Sequence, residues 1–113
     1  MKPLRFVGGA KRDLSAFPEA ARVRVGHELF MLQVGREPDD WKPMISVGLG
    51  VREIRIQTDL AHRVFYLATF DEAVYVLHAF EKRTRKTPSH EVKLARDRYR
   101  ALFKKRAEDA KKK

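Results

Sequence analysis

The stretch HAFEKRTRKTPSHE (78–91) gathers most of the residue types in this chain that can move a proton or hold a phosphate. His78 and His90 flank a run containing Lys82, Arg83, Arg85 and Lys86. Alternate residues of a strand share a face, so Val74, Val76, His78, Phe80 and Lys82 are expected on one side of the last strand. Arg55 in VREIRI and Arg63 in HRVFY belong to the two strands before it. A suitable register pools Arg55, Arg63, His78 and Lys82 around one face or rim. The run then reads as a solvated turn, a phosphate-binding surface or a catalytic edge.

These residues suit metal-independent RNA cleavage. The 2′-hydroxyl attacks the adjacent phosphate in line, so a base must take its proton. Cations must stabilise the phosphate charge, and an acid must protonate the leaving 5′ oxygen. Arginine stays protonated and serves only as the electrostatic group. Histidine titrates near neutrality and can be acid or base. Lysine becomes a base when burial or neighbouring cations lower its pKa. The catalytic candidates are therefore Arg63, Lys82, His78 and His90. Each has a structural alternative: strand histidines are often packed, and strand arginines often pair with acids, here Glu53 or Asp59 for Arg55. His27 and His62 read as structural. No Walker loop, dinucleotide fingerprint, HExxH or nucleophile elbow is present. No metal-ligand spacing stands out either, Asp39-Asp40 and Asp71-Glu72 reading as loop carboxylates, so no metal or cofactor is expected.

Charge points the same way. Residues 1–80 hold 11 Lys/Arg against 10 Asp/Glu, while residues 81–113 hold 14 against 5. An excess concentrated in one third of a chain of net charge +10 suggests an anionic partner, nucleic acid among the possibilities. Phosphate contacts are assigned to Arg55, Arg83, Arg85, Lys86, Lys93 and Arg96. The chain has no cysteine, which excludes disulfides and thiolate chemistry. No apolar run approaches the roughly 18 residues of a membrane helix. The short apolar stretch near the start does not match a signal peptide, and a cytoplasmic protein is expected.

The positioning elements can be read in order. LRFV (4–7) is a first strand, followed by Gly8 and Gly9 and a short helix, AKRDLSAF, that stops before Pro18. Pro18 should open a second helix as its first residue, with Ala21, Val25, Leu29 and Leu32 as its apolar stripe, Phe30 and Met31 widening it and Gly35 ending it. Residues 36–50 read as loop, with Trp41 over a core edge. Three strands follow as an antiparallel meander: VREIRIQT, with Ile54 and Ile56 opposite polar Glu53, Arg55 and Gln57; a central HRVFYLATF; a turn at Asp71-Glu72; and AVYVLHAF. Thr87 reads as the N-cap of a last helix with Pro88 at its first position and Glu91 near its positive end. Val92, Ala95, Tyr99, Leu102 and Phe103 form its apolar stripe. Fraying is expected from about Ala107, giving a domain over 1–106 and a basic flexible tail over 107–113. The whole is an α+β domain.

VREIRI, RVFY and LHAFEKRTRKTP followed by E..LA are the sharpest points at which the stretch from Val51 to Tyr99 resembles the phage-derived, HigB-like branch of the RelE/ParE toxin superfamily. The resemblance runs from about residue 3 to residue 106. It implies a small fold with helices packed on a curved antiparallel sheet. It also implies a type II toxin: a ribosome-dependent mRNA interferase, neutralised by a HigA-like antitoxin that helps it bind operator DNA. On this resemblance Arg63 matches the family's strand arginine and Arg55, more loosely, a basic residue on the preceding strand. Lys82 and Arg83 match the basic residues after the last strand. The terminal tyrosine or histidine of some relatives has His90 as its nearest counterpart. Two other readings compete: a ParE-like gyrase poison, and a basic nucleic-acid-binding module without catalysis.

Overall fold

The computed structural model describes residues 1–112. Its sheet has five strands in the order β1-β5-β4-β3-β2. The strands are β1 (Leu4–Phe6), β2 (Trp41–Pro43), β3 (Arg52–Gln57), β4 (Ala61–Leu67) and β5 (Val74–Glu81). Helices α1 (Ala10–Ser15) and α2 (Glu19–Gln33) cover one face, and α3 (Ser89–Lys111) packs on the other. The α+β class and the β3-β4-β5 meander are as the sequence predicts. Two short strands extend the sheet beyond it. β1 runs parallel to β5, and β2 pairs antiparallel with β3 inside the stretch read as loop. β1 is the first strand expected at 4–7, whereas β2, with three residues, carries too little alternation to be recognised by pattern.

Alternation on β3 and β4 sorts the two cores. Ile54, Ile56, Val64 and Tyr66 meet Ala21, Val25, Leu29 and Leu32 of α2. Val51, Phe65 and Leu67 meet Ala95 and Leu102 of α3. Phe30 lies outside the α2 stripe and is half exposed. Gly35 takes φ +84° and closes α2, with its N–H donating to Leu32 O and the next N–H, of Arg36, to Met31 O. This is the left-handed position that favours glycine.

Pro18 and Pro88 both occupy the N-cap, one residue before the helix, with ψ of 153° and 141°. Thr87 therefore does not cap α3. Helical bonds begin at the proline carbonyls, to Arg22 in α2 and Val92 in α3. At its other end α3 remains helical through 107–111, where fraying is expected from sequence. Just before that stretch, Arg106 pairs with Glu72 and lies over the Phe70 ring. Among the described residues no helix is long and apolar enough to cross a membrane.

One irregularity decides how β5 presents its side chains. Phe65 pairs with His78, but its neighbour Tyr66 pairs with Val76, so Leu77 is an extra residue in a bulge. A bulge re-aims the side chains that follow it. Val74 and Val76 face α2, whereas His78 and Phe80 stack together on the α3 side. The single face expected for residues 74–82 is thus split at Leu77. Arg98 donates to the Leu77 carbonyl, supplying the bulge with a partner.

Candidate functional site

β3 and β4 place Arg55 directly opposite Arg63, and β2 places Lys42 opposite Glu53. Directly opposed like charges destabilise a sheet. The opposing charge comes from Glu53, which has no exposed surface. One of its carboxylate oxygens lies 3.6 Å from Arg63 Nε and 3.8 Å from Lys42 Nζ. Neither oxygen has a hydrogen-bond partner among the described residues. Read as a polar strand residue, Glu53 is instead the buried counter-charge of a cationic sheet end. Its period-2 position gave a face, but could not reveal that the α3-side face is buried there.

Lys82 joins this group just beyond β5, its N–H continuing the ladder to Ala61 O. Its ammonium is destabilised first by burial and then by Arg63, with Lys42 and Arg55 adding to the effect, so its pKa lies below the ordinary lysine value. Burial is also the main cause lowering Arg63. Arg63 donates to the His62 carbonyl at 3.0 Å and is largely buried. Arg55 is more exposed and lies 3.9 Å from Asp40, rather than pairing with Glu53 or Asp59.

From Lys42 and Lys82 an open groove of about 1020 Å³ runs between the loop after β2 and the start of α3. Arg85, Lys86, His90, Lys93, Arg96 and Arg100 also line it. Seven of its lining residues are Lys or Arg, and Asp97 is its one carboxylate, already paired with Lys93 at 3.0 Å. The apolar loop wall is fixed to α3. Arg96 donates twice to Ser46 O, at 3.2 and 2.7 Å, and Tyr99 donates to Leu49 O at 2.9 Å. Gly48 lies against the Tyr99 ring, where a Cβ would come within 2.6 Å of it.

The structure thus brings Arg55, Arg63 and Lys82 together and sets His90, Arg85, Lys86, Lys93 and Arg96 around the adjoining groove. Arg83 does not line it; highly exposed, it pairs with Glu81. His78 is not brought to the groove. It is 3% exposed, bonded to Glu91 Oε1 at 2.8 Å, and 3.3 Å from both Asp13 and Arg98. Arg98 donates to Asp13 at 2.7 Å. This four-residue network ties α1, β5 and the first turns of α3 into one block. Lys42 and Glu53 are the site residues that pattern reading misses. Lys42 lay in an assumed loop.

Basic residues clustered at the end of a helix-flanked, mostly antiparallel sheet suit a compact protein acting on a polyanion. Residues 12–100 match the family described as phage-derived protein Gp49-like (DUF891), and the chain belongs to this toxin-like family. No curated protein matches the chain significantly. Membership is consistent with a toxin, and a toxin family suggests an antitoxin partner.

Proposed function

We propose that this chain is the HigB-like toxin of a type II toxin–antitoxin pair, a ribosome-dependent mRNA endonuclease. The observation that carries the reading is the Arg55–Arg63–Lys82 cluster around buried Glu53, opening onto a basic groove. The groove tracks the phosphates of RNA. Arg63 and Arg55 stabilise charge on the scissile phosphate. Lys82, with its lowered pKa, takes the 2′-hydroxyl proton as the O2′–P bond forms. The P–O5′ bond breaks, and His90 on the groove wall protonates the leaving 5′ oxygen. The products are a 2′,3′-cyclic phosphate and a 5′-hydroxyl. Glu53 and His78 position other groups, since both are buried away from the groove. A HigA-like antitoxin neutralises the toxin and carries the complex to operator DNA.

The test is translation of a defined message on purified ribosomes with RNA ends mapped. Cuts within codons are expected only when ribosomes are present, and Lys82→Ala or Arg63→Ala should reduce them at least about 100-fold. Intact message with folded protein rejects the reading. DNA breaks with gyrase would then favour the ParE-like alternative. Salt-sensitive binding without cleavage would favour the non-catalytic one.

A further inference from the structure

Away from the groove, on the α2 side of the sheet, His27, Glu28 and Asp39 each bring one possible ligand atom to within 4.8 Å of the others. The sequence spacing hides this, because two of the residues lie on α2 and the third lies in the loop before β2. Glu28 is 1% exposed, an unusual place for a carboxylate. One of its oxygens accepts the Asp39 N–H at 2.8 Å. The other, Oε1, is buried and has no partner among the described residues. The same loop that supplies this N–H also brings the Asp39 carboxylate close to Glu28, which adds repulsion to a buried, half-satisfied group.

We propose that His27, Glu28 and Asp39 form a binding site for a divalent transition-metal ion, of which Zn²⁺ is the best match. A cation answers both problems at once: it occupies the unpartnered lone pairs of Glu28 and neutralises the opposed carboxylates. One imidazole and two carboxylates suit a borderline ion better than Mg²⁺ or Ca²⁺, which favour all-oxygen sets. Three protein ligands leave a fourth tetrahedral position to water. Ligand atoms around Zn²⁺ sit about 3.4 Å apart, so the exposed His27 and Asp39 side chains must close slightly on buried Glu28. The ion would link α2 to the loop leading into β2, and so to the strand that carries Lys42. It has no part in the proposed cleavage, and the inference does not depend on that reading.

The experiment is calorimetric titration of chelator-treated full chain with Zn²⁺ and, separately, Mg²⁺, with melting temperature followed in parallel. One Zn²⁺ per chain and a raised melting temperature are expected, with no response to Mg²⁺ at the same concentration. His27→Ala and Asp39→Ala change exposed side chains, so both variants should fold and lose Zn²⁺ affinity at least about tenfold. Circular dichroism of the metal-free variants checks that fold. No Zn²⁺ binding by folded wild type at sub-millimolar concentration overturns the proposal, as does undiminished binding by the two folded variants.

Discussion

The Glu53 carboxylate and the Arg63 guanidinium approach to 3.6 Å inside the sheet end, on neighbouring strands, with Glu53 fully buried. Removing Glu53 leaves Arg63 buried against Arg55 with no counter-charge nearby except the more distant Asp40. Breaking a buried pair from one side costs about 3–5 kcal/mol. Glu53→Gln should lower stability by that order in urea denaturation. It should also depress Lys82 further, since Glu53 is among the groups that raise the lysine's pKa. The acidic limb of a cleavage pH–rate profile should therefore move to lower pH. An unmoved limb in a cleaving variant would remove Lys82 as the base.

His78 links charges on two helices, Asp13 of α1 with Glu91 and Arg98 of α3. His78→Leu keeps the packing against Phe80 but leaves two carboxylates without the imidazole. Hydrogen bonds to charged groups contribute about 1.5–3 kcal/mol each, so a loss of roughly 3 kcal/mol is expected. Amide exchange should accelerate first in the opening turns of α3. Abolished cleavage with unchanged stability and unchanged exchange would instead make His78 a catalytic residue.

Glu72 accepts from both Arg106 and Tyr75, and the Arg106 contact is the main cause that draws its pKa down to about 2. The folded carboxyl thus releases its proton more readily than the unfolded one. The stabilisation is complete above about pH 4.5, the ordinary value, and is lost as pH falls toward 2. Glu72→Gln should be less stable than wild type at neutral pH, and the gap should narrow across that window. Parallel melting curves at every pH would contradict the linkage.

His62, against the Phe17 ring at 4.3 Å, has the opposite chemistry but the same pH sense. Burial is the main cause lowering its pKa, so the unfolded state binds the extra proton. Its contribution is complete above about pH 6.5 and falls away below it. His62→Phe should flatten the stability profile just under that pH, as read by urea midpoints at fixed ionic strength.

Gly48→Ala forces a methyl group into the Tyr99 ring, as the 2.6 Å approach requires. Overpacking of this kind costs about 1–3 kcal/mol. The loop wall of the groove should detach from α3, and RNA binding should weaken. Tyr99→Ala removes the obstruction, so the double variant should be more stable than the sum of the single losses. Strict additivity in a double-mutant cycle would show that the ring does not constrain the loop.

The meander was legible in the sequence because Ile54, Ile56 and the RVFYL run carry strong period-2 or continuously apolar signals over six or more residues. α2 and α3 were legible from their stripes, though Phe30 shows how readily a neighbouring aromatic is drawn into one. Three things were not legible. β2 is too short to show a period. The bulge at Leu77 breaks the alternation without any glycine to mark it, and so sent His78 to the wrong group of neighbours. Glu53 and Glu28 are carboxylates whose burial follows from tertiary packing, which no local pattern records. The basic groove, by contrast, was visible as charge, because its residues are nearly contiguous along 82–100.

β1 pairs in parallel with β5, Leu4 beside Val74, and the second wall of the groove comes from residues 85–100. The first strand must therefore wait, during synthesis, for almost the whole sheet to be made. Non-local pairing of this kind is slow to form. The cationic sheet end and the groove are completed together and late, after α1 and α2 have already been translated. Until its last third has been translated, the growing chain therefore carries no assembled groove.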